Sequence, residues 1–241
     1  MSDSQTIRQL EQQLADSEGS ADILRQVALL NDLAWALSDT EMQRAYALSE
    51  TAHALASSPH DGAPSYPAGV AYSLRTQGYI NQRLGDYPKG MGQLLQARGI
   101  FESLRIDDGL ADVFDGIAGI YFQIGDFPEA LNYMYKQLDI TQRIGDQRRE
   151  ANAYNNLANI YLESGDYDRA IETLHHNLQI AGETDYGRIV CLSWLNLAET
   201  YLLAGDGERA LENGLRGLRV SQESGFELFE VYAFISSENP I

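Results

Sequence analysis

A Gly-Asp pair returns at a fixed interval along this chain: Gly85-Asp86, Gly125-Asp126, Gly165-Asp166 and Gly205-Asp206 stand 40 residues apart. The flanking segments are alike too. "RTQGYINQRLGDYPKG", "DGIAGIYFQIGDFPEA", "NNLANIYLESGDYDRA" and "LNLAETYLLAGDGERA" align without a gap. A fixed period of this length constrains the fold more than any single motif. Each unit is one supersecondary element that cannot bury its apolar face alone, so neighbours stack. The chain has 241 residues, of which 44% are hydrophobic, enough for a continuous core and too many for a disordered polymer.

Each unit reads as helix–turn–helix. At the helical rotation, Tyr154, Leu157, Ala158 and Tyr161 fall within one arc before the Gly-Asp. Tyr167, Ala170, Ile171, Leu174, Leu178 and Ala181 give a second stripe after it. The glycine suits a left-handed C-terminal stop and the aspartate the N-cap of the next helix. Asp126 and Glu129 have capping-box spacing. Pro88 and Pro128 fall in a first turn, where a missing N–H costs little. Small residues keep register, Gly78, Ala118, Ala158 and Ala198 in first helices and Gly90, Ala130, Ala170 and Ala210 in second helices. They mark where paired helices touch. Leu74, Phe114, Tyr154 and Trp194 form a bulky column, as do Tyr121, Tyr161 and Tyr201, so Trp194 reads as a packing residue. No segment carries a strand pattern.

The pattern small–x–x–Tyr, Gly-Asp-Tyr/Phe, then Ala with a large apolar residue four on, resembles the tetratricopeptide repeat. Its 40-residue spacing resembles the longer class found in input regions of bacterial signalling proteins and in GoLoco-type G-protein regulators. The resemblance covers residues 67–224 as four repeats and implies an all-α, right-handed superhelical solenoid. Asn81 and Gly90 depart from the pattern in the first of these, and Gly207, Gly214 and Gly217 weaken the last. Residues 20–57 read as a degenerate first repeat, and 58–66 as a Pro/Gly-rich loop. Residues 1–19 form an N-terminal segment suited to a short helix. Residues 225–241 form a terminal half-repeat helix and tail, whose Phe226, Phe229, Tyr232 and Phe234 predict a sticky end and a homodimer through that helix.

Chemistry is scarce. Cys191 is the single cysteine, so no intrachain disulfide forms and it reads as a buried small apolar residue. His175 and His176 are adjacent on one helix and point apart, so they read as surface residues. No metal, no cofactor and no catalytic set is expected, and the chain reads as a non-enzyme. With 17 Lys+Arg against 35 Asp+Glu, a net charge of -18, it lacks the basic face a nucleic-acid binder needs. The same charge disfavours an anionic membrane surface, and no apolar stretch suits a membrane span. A cytoplasmic location is expected.

The polar arc of the first helices carries the functional expectation. Asn152, Asn155, Asn156 and Asn159 share one face, although asparagine is a mediocre helix former. An amide donates and accepts together, which suits a peptide group. The resemblance implies that this face lines a concave groove in which asparagines bond the backbone of an extended peptide. Corresponding positions add Tyr72, Arg75, Tyr79 and Arg83, then Asp112 and Asp115 beside Gly116 and Gly119, then Leu192, Leu195, Asn196 and Glu199. The degenerate repeat adds Asn31, Asp32 and Trp35. Asp112 and Asp115 are expected to meet a basic ligand residue, Arg75 and Arg83 an acidic one, and the two glycines to leave room for the chain. The expected function is a protein- or peptide-binding scaffold for a segment neutral to basic in its centre. The alternative is an N-terminal sensor module of a larger signalling enzyme of the diguanylate cyclase or histidine kinase type.

Overall fold

The computed structural model describes residues 3–17, 22–58, 65–182 and 187–224, and every regular element among them is an α-helix. The chain divides into two compact units, Met1–Ile124 and Gly125–Ile241. The first holds α1 (Asp3–Ser17), α2 (Ile23–Ala36), α3 (Met42–Ser57), α4 (Pro67–Arg83), α5 (Tyr87–Leu104) and α6 (Asp107–Gln123). The second holds α7 (Phe127–Ile144), α8 (Gln147–Glu163), α9 (Tyr167–Gly182), α10 (Gly187–Leu203) and α11 (Gly207–Ser224). Even-numbered helices are the first of each hairpin and odd-numbered ones from α3 onward the second. The fold is a helical-hairpin repeat solenoid.

The Gly-Asp turns work as local chemistry dictates. Gly85, Gly125, Gly165 and Gly205 have φ of 81, 78, 79 and 85°. That left-handed conformation ends the first helix at little cost only for glycine. The next N–H then reaches back: Asp86 donates to the Asn81 carbonyl, and Asp166 and Asp206 to those of Tyr161 and Tyr201. The aspartate Oδ1 in turn accepts from the backbone N–H of Lys89, Glu129, Arg169 or Arg209. Each such cap is worth about 1 kcal/mol. The same device stands between repeats, where Gly145 has φ 71° and Asp146 caps α8 through the Arg149 N–H. Between α5 and α6 the left-handed position falls to Arg105, φ 57°.

In the first unit, Leu33, Leu37, Ala45 and Ile80 form a buried cluster, and Ile7, Leu10 and Leu14 of α1 pack against it. Two departures from the repeat pattern compensate each other at α4 and α5. A Cβ on Gly90 would stand 3.0 Å from the Gly78 carbonyl oxygen, so these backbones approach where other hairpins keep an alanine. Asn81 replaces the column tyrosine and donates to Gln93, which donates to Gln77. In the second unit, Ala158, Leu174, Leu197, Tyr201 and Ala210 form the core, with Ile171, Leu178 and Trp194 packed on it. Trp194 is thus a packing residue, and Cys191 is buried, its thiol donating to the Gly217 carbonyl. The terminal half-repeat from 225 onward lies outside the described residues.

Candidate functional site

The polar faces of the first helices differ between the units. In the first unit, Arg75 of α4 is 5% exposed, and its Nη1 donates to Asp112 Oδ2 of α6 at 2.8 Å. The guanidinium lies 3.9 Å from the centre of the Trp35 ring of α2 and 5.0 Å from that of Tyr72. Tyr72 donates to Asp108 at 2.8 Å and Tyr79 to Asp39 at 2.9 Å. Burial, and then the neighbouring carboxylate in each case, pushes both tyrosine hydroxyls well above their ordinary value. Tyr79 also leans on Trp35, ring centres 5.2 Å apart, and Arg83 Nη1 lies 3.5 Å from Asp39. Asn31 is buried, donating to the Gly69 carbonyl and accepting from Ser73. These groups brace α2, α4 and α6 against one another.

Three expectations change here. Arg75 and Asp112 are committed to each other, so neither is open to a ligand charge. A desolvated pair of this kind satisfies itself, because separating it would leave a buried charge uncompensated. Arg83 is already shared with Asp39 and Tyr79. Gly116 and Gly119 do not clear a path for a ligand, since a Cβ there would meet Leu94 Cδ1 at 3.0 Å and Gln82 Nε2 at 2.8 Å. The space belongs to α4 and α5 side chains. Asp115 is half-buried on α6, near enough for its charge to act on Tyr79.

On this face the second unit carries a cluster of amides. Asn196 of α10 donates through Nδ2 to Asn155 Oδ1 at 3.0 Å and to Asn159 Oδ1 at 2.9 Å, both on α8. All three side chains are half-buried. The two N–H bonds of this one amide hold both acceptor amides in one orientation. The Nδ2 groups of Asn155 and Asn159 and the Oδ1 of Asn196 have no hydrogen-bond partner among the described residues, and none is sealed from water. Two donors and one acceptor therefore stand side by side, fixed from behind. Asn152 is exposed at the start of the row, while Asn156, Leu192 and Glu199 are half-buried. Leu195 leaves this face and is buried with Cys191 against Leu218 and Val220 of α11.

Another recess lies across α8 from the asparagines. Tyr135, Tyr154, Tyr161, Glu172, His175 and His176 line a pocket of about 630 Å³ between α7, α8 and α9. Tyr135 and Tyr161 share a hydroxyl–hydroxyl hydrogen bond of 2.5 Å. Burial, and then that bond, pushes the Tyr135 hydroxyl up to about 12. His176 stands edge-on to Tyr154, ring centres 4.7 Å apart, and His175 Nε2 is 3.5 Å from the Tyr201 hydroxyl. Sequence reasoning took Tyr154 and Tyr161 for packing alone. The missed signal is the second-helix column Leu95, Tyr135, His175 and Leu215, polar and aromatic only in its middle. Among the described residues, no group of three or more His, Cys, Asp or Glu is placed to hold a metal, and no helix is long and apolar enough to cross a membrane.

No curated protein matches the sequence. Among solved structures, the chain is similar to BtubC (BKLC) from P. vanneervenii, with 21% identity, 94% of each chain covered and a TM-score of 0.73. It is similar to a Rap protein complexed with Competence and Sporulation Factor, with 16% identity over 92% of this chain and 60% of that one, TM-score 0.72. It is also similar to YrrB, described as a TPR protein with an unusual peptide-binding site, with 16% identity over 92% and 96%, TM-score 0.51. At these identities the likeness is one of fold. Residues 109–183 and 149–223 match the tetratricopeptide repeat, so the helical hairpins within residues 109–223 are tetratricopeptide repeats.

Proposed function

We propose that the protein is a binding scaffold whose amide face, formed by Asn155, Asn159 and Asn196, holds the backbone of an extended polypeptide segment. One observation carries the reading: a single amide fixes two others so that donors and an acceptor are presented together, pre-oriented. A peptide group offers one N–H and one C=O, and a prearranged amide set meets both without first losing side-chain freedom. Two proteins of the same fold point the same way: the Rap protein is complexed with Competence and Sporulation Factor, and YrrB has a peptide-binding site. The net charge of -18 favours segments that are neutral or basic.

The test uses peptides selected from a random library for binding to this chain. Affinity is measured by calorimetry on the wild type and on Asn155→Ala combined with Asn159→Ala. The expected loss is about 1–3 kcal/mol, the cost of leaving peptide groups unpartnered, while the melting temperature falls by only about 2–4 °C as the Asn196 hydrogen bonds are lost. Affinity should also fall with salt. Equal affinities for the two proteins would reduce the asparagines to a wetted helix surface.

A further inference from the structure

We propose that the pocket between α7, α8 and α9 is a second binding site, and that it takes the guanidinium of an arginine presented by a partner polypeptide. The site is separate from the amide face. Counted at the helical rotation, Tyr154, Leu157 and Tyr161 lie opposite Asn155, Asn156 and Asn159 on α8.

Three features select the occupant. The walls are mostly rings, the Tyr135, Tyr154 and Tyr161 phenols and two imidazoles, and Arg169 of the pocket already lies 4.9 Å from the centre of Tyr161. Aromatic faces attract cations, and a guanidinium stacks on them better than an ammonium because it is planar and weakly hydrated. The charge within the pocket is also unbalanced in the cation's favour. Arg169 is neutralised by Asp166, Nε to Oδ2 at 2.6 Å, whereas Glu172 has no ion pair or hydrogen bond among the described residues. The internal repeat supplies the third. One period on, Trp194 stands at the position of Tyr154, and Arg216 at that of His176. There the chain lays its own guanidinium on the ring, Arg216 Cζ 4.9 Å from the centre of Trp194. In the earlier repeat the ring is kept, and so is the carboxylate, Glu172 standing for the Glu212 that pairs with Arg216, but His176, edge-on to Tyr154, takes the arginine's position. An incoming arginine completes the arrangement that the next repeat completes by itself. At about 630 Å³ the pocket has room for that side chain and its neighbours.

The probe is the capped peptide Gly-Gly-Arg-Gly-Gly, titrated into the full chain carrying ¹³C-labelled tyrosine rings. A second peptide carries citrulline, which has nearly the same shape without the charge. The arginine peptide should move the ring signals of Tyr135, Tyr154 and Tyr161 and leave those of Tyr72 and Tyr79 in place. The citrulline peptide should bind about tenfold more weakly. Glu172→Gln, an exposed change that leaves the fold intact, should weaken the arginine peptide about three- to tenfold. The Asn155→Ala, Asn159→Ala protein should bind it as the wild type does, so that this site and the amide face stand or fall separately. Equal binding of the two peptides, no effect of Glu172→Gln, or shifts spread over both units would overturn the proposal.

Discussion

Two faces built from the same repeat position have opposite characters. In the first unit the polar arcs of α2, α4 and α6 are closed by Arg75–Asp112, Tyr72–Asp108 and Tyr79–Asp39. In the second, Asn196 of α10 ties together Asn155 and Asn159 of α8 through their amides. Ions lock a surface because each partner, once desolvated, cannot leave without large cost. Amides hold one another weakly and keep spare valences. One register position thus serves as a strut in one unit and, in the function we propose, as a docking surface in the other, and the difference lies in a few side chains rather than in the backbone.

The largest effect should come from the strut. Arg75→Ala would leave Asp112 buried without its partner, a loss of about 3–5 kcal/mol. Arg75→Met combined with Asp112→Leu should recover most of it, since replacing such a pair with apolar side chains is often neutral. Asn196→Ala should cost only about 0.5–1.5 kcal/mol, because water can reach the amides it releases. Urea unfolding of the four proteins measures the contrast. Similar losses for Arg75→Ala and Asn196→Ala would erase the distinction between the faces.

A second effect sets the glycines of the two units against each other. Gly90→Ala should destabilise the fold by about 1–3 kcal/mol, because the new Cβ would press on the Gly78 carbonyl oxygen at 3.0 Å and the Gln82 nitrogen at 3.1 Å. Gly214→Ala should stabilise it by about 0.5–1 kcal/mol. Its Cβ would meet only Ala198 Cβ, at an ordinary 3.7 Å. Thermal melts of the two variants should therefore move in opposite directions. Two shifts of the same sign would mean that helix propensity, rather than the approach of α4 to α5, decides both.

The repeat, the helical hairpins and the Gly-Asp turns were legible because they depend on local chemistry repeated at a fixed interval. Trp194 and the small columns were legible for the same reason. What the polar arcs do was not. Asp112 and Asn155 lie near matching register positions, and both look like candidate ligand contacts in the sequence. Only the arrival of Arg75 from another helix, 37 positions earlier, turns Asp112 into a structural ion. Gly116 and Gly119 misled for a like reason: a missing side chain reads as open space until Leu94 and Gln82 are seen to fill it. Asn196 was placed on the ligand face, but its role in orienting Asn155 and Asn159 follows from a contact between helices.

The smallest effect should be one of pH, and it refines the picture of the first unit. Asp32 of α2 reaches solvent, yet packing around it raises its carboxyl above the ordinary value, with the Arg75 charge pulling the other way. Asp146, which caps α8 in the second unit, is shifted down: burial opposes the shift, but the Arg149 N–H and guanidinium outweigh it. The signs are opposite. A carboxyl raised in the fold favours the folded state once protonated, and that advantage is lost as pH rises through its folded value. A carboxyl lowered in the fold stabilises at neutral pH, and its contribution disappears as pH falls from the unfolded 3.8 through the folded value. Asp32→Asn should therefore raise the melting temperature at pH 7, by about 1 °C for so exposed a group, and lose that gain on acidification. Asp146→Ala, which removes a cap as well as a charge, should lower the melting temperature at pH 7 and by less at pH 3. Melts of both variants at the two pH values decide the matter. If Asp32→Asn lowers the melting temperature at pH 7, Asp32 belongs to the Arg75 strut as a favourable third partner, and the ion network of the first unit is larger than the Arg75–Asp112 pair.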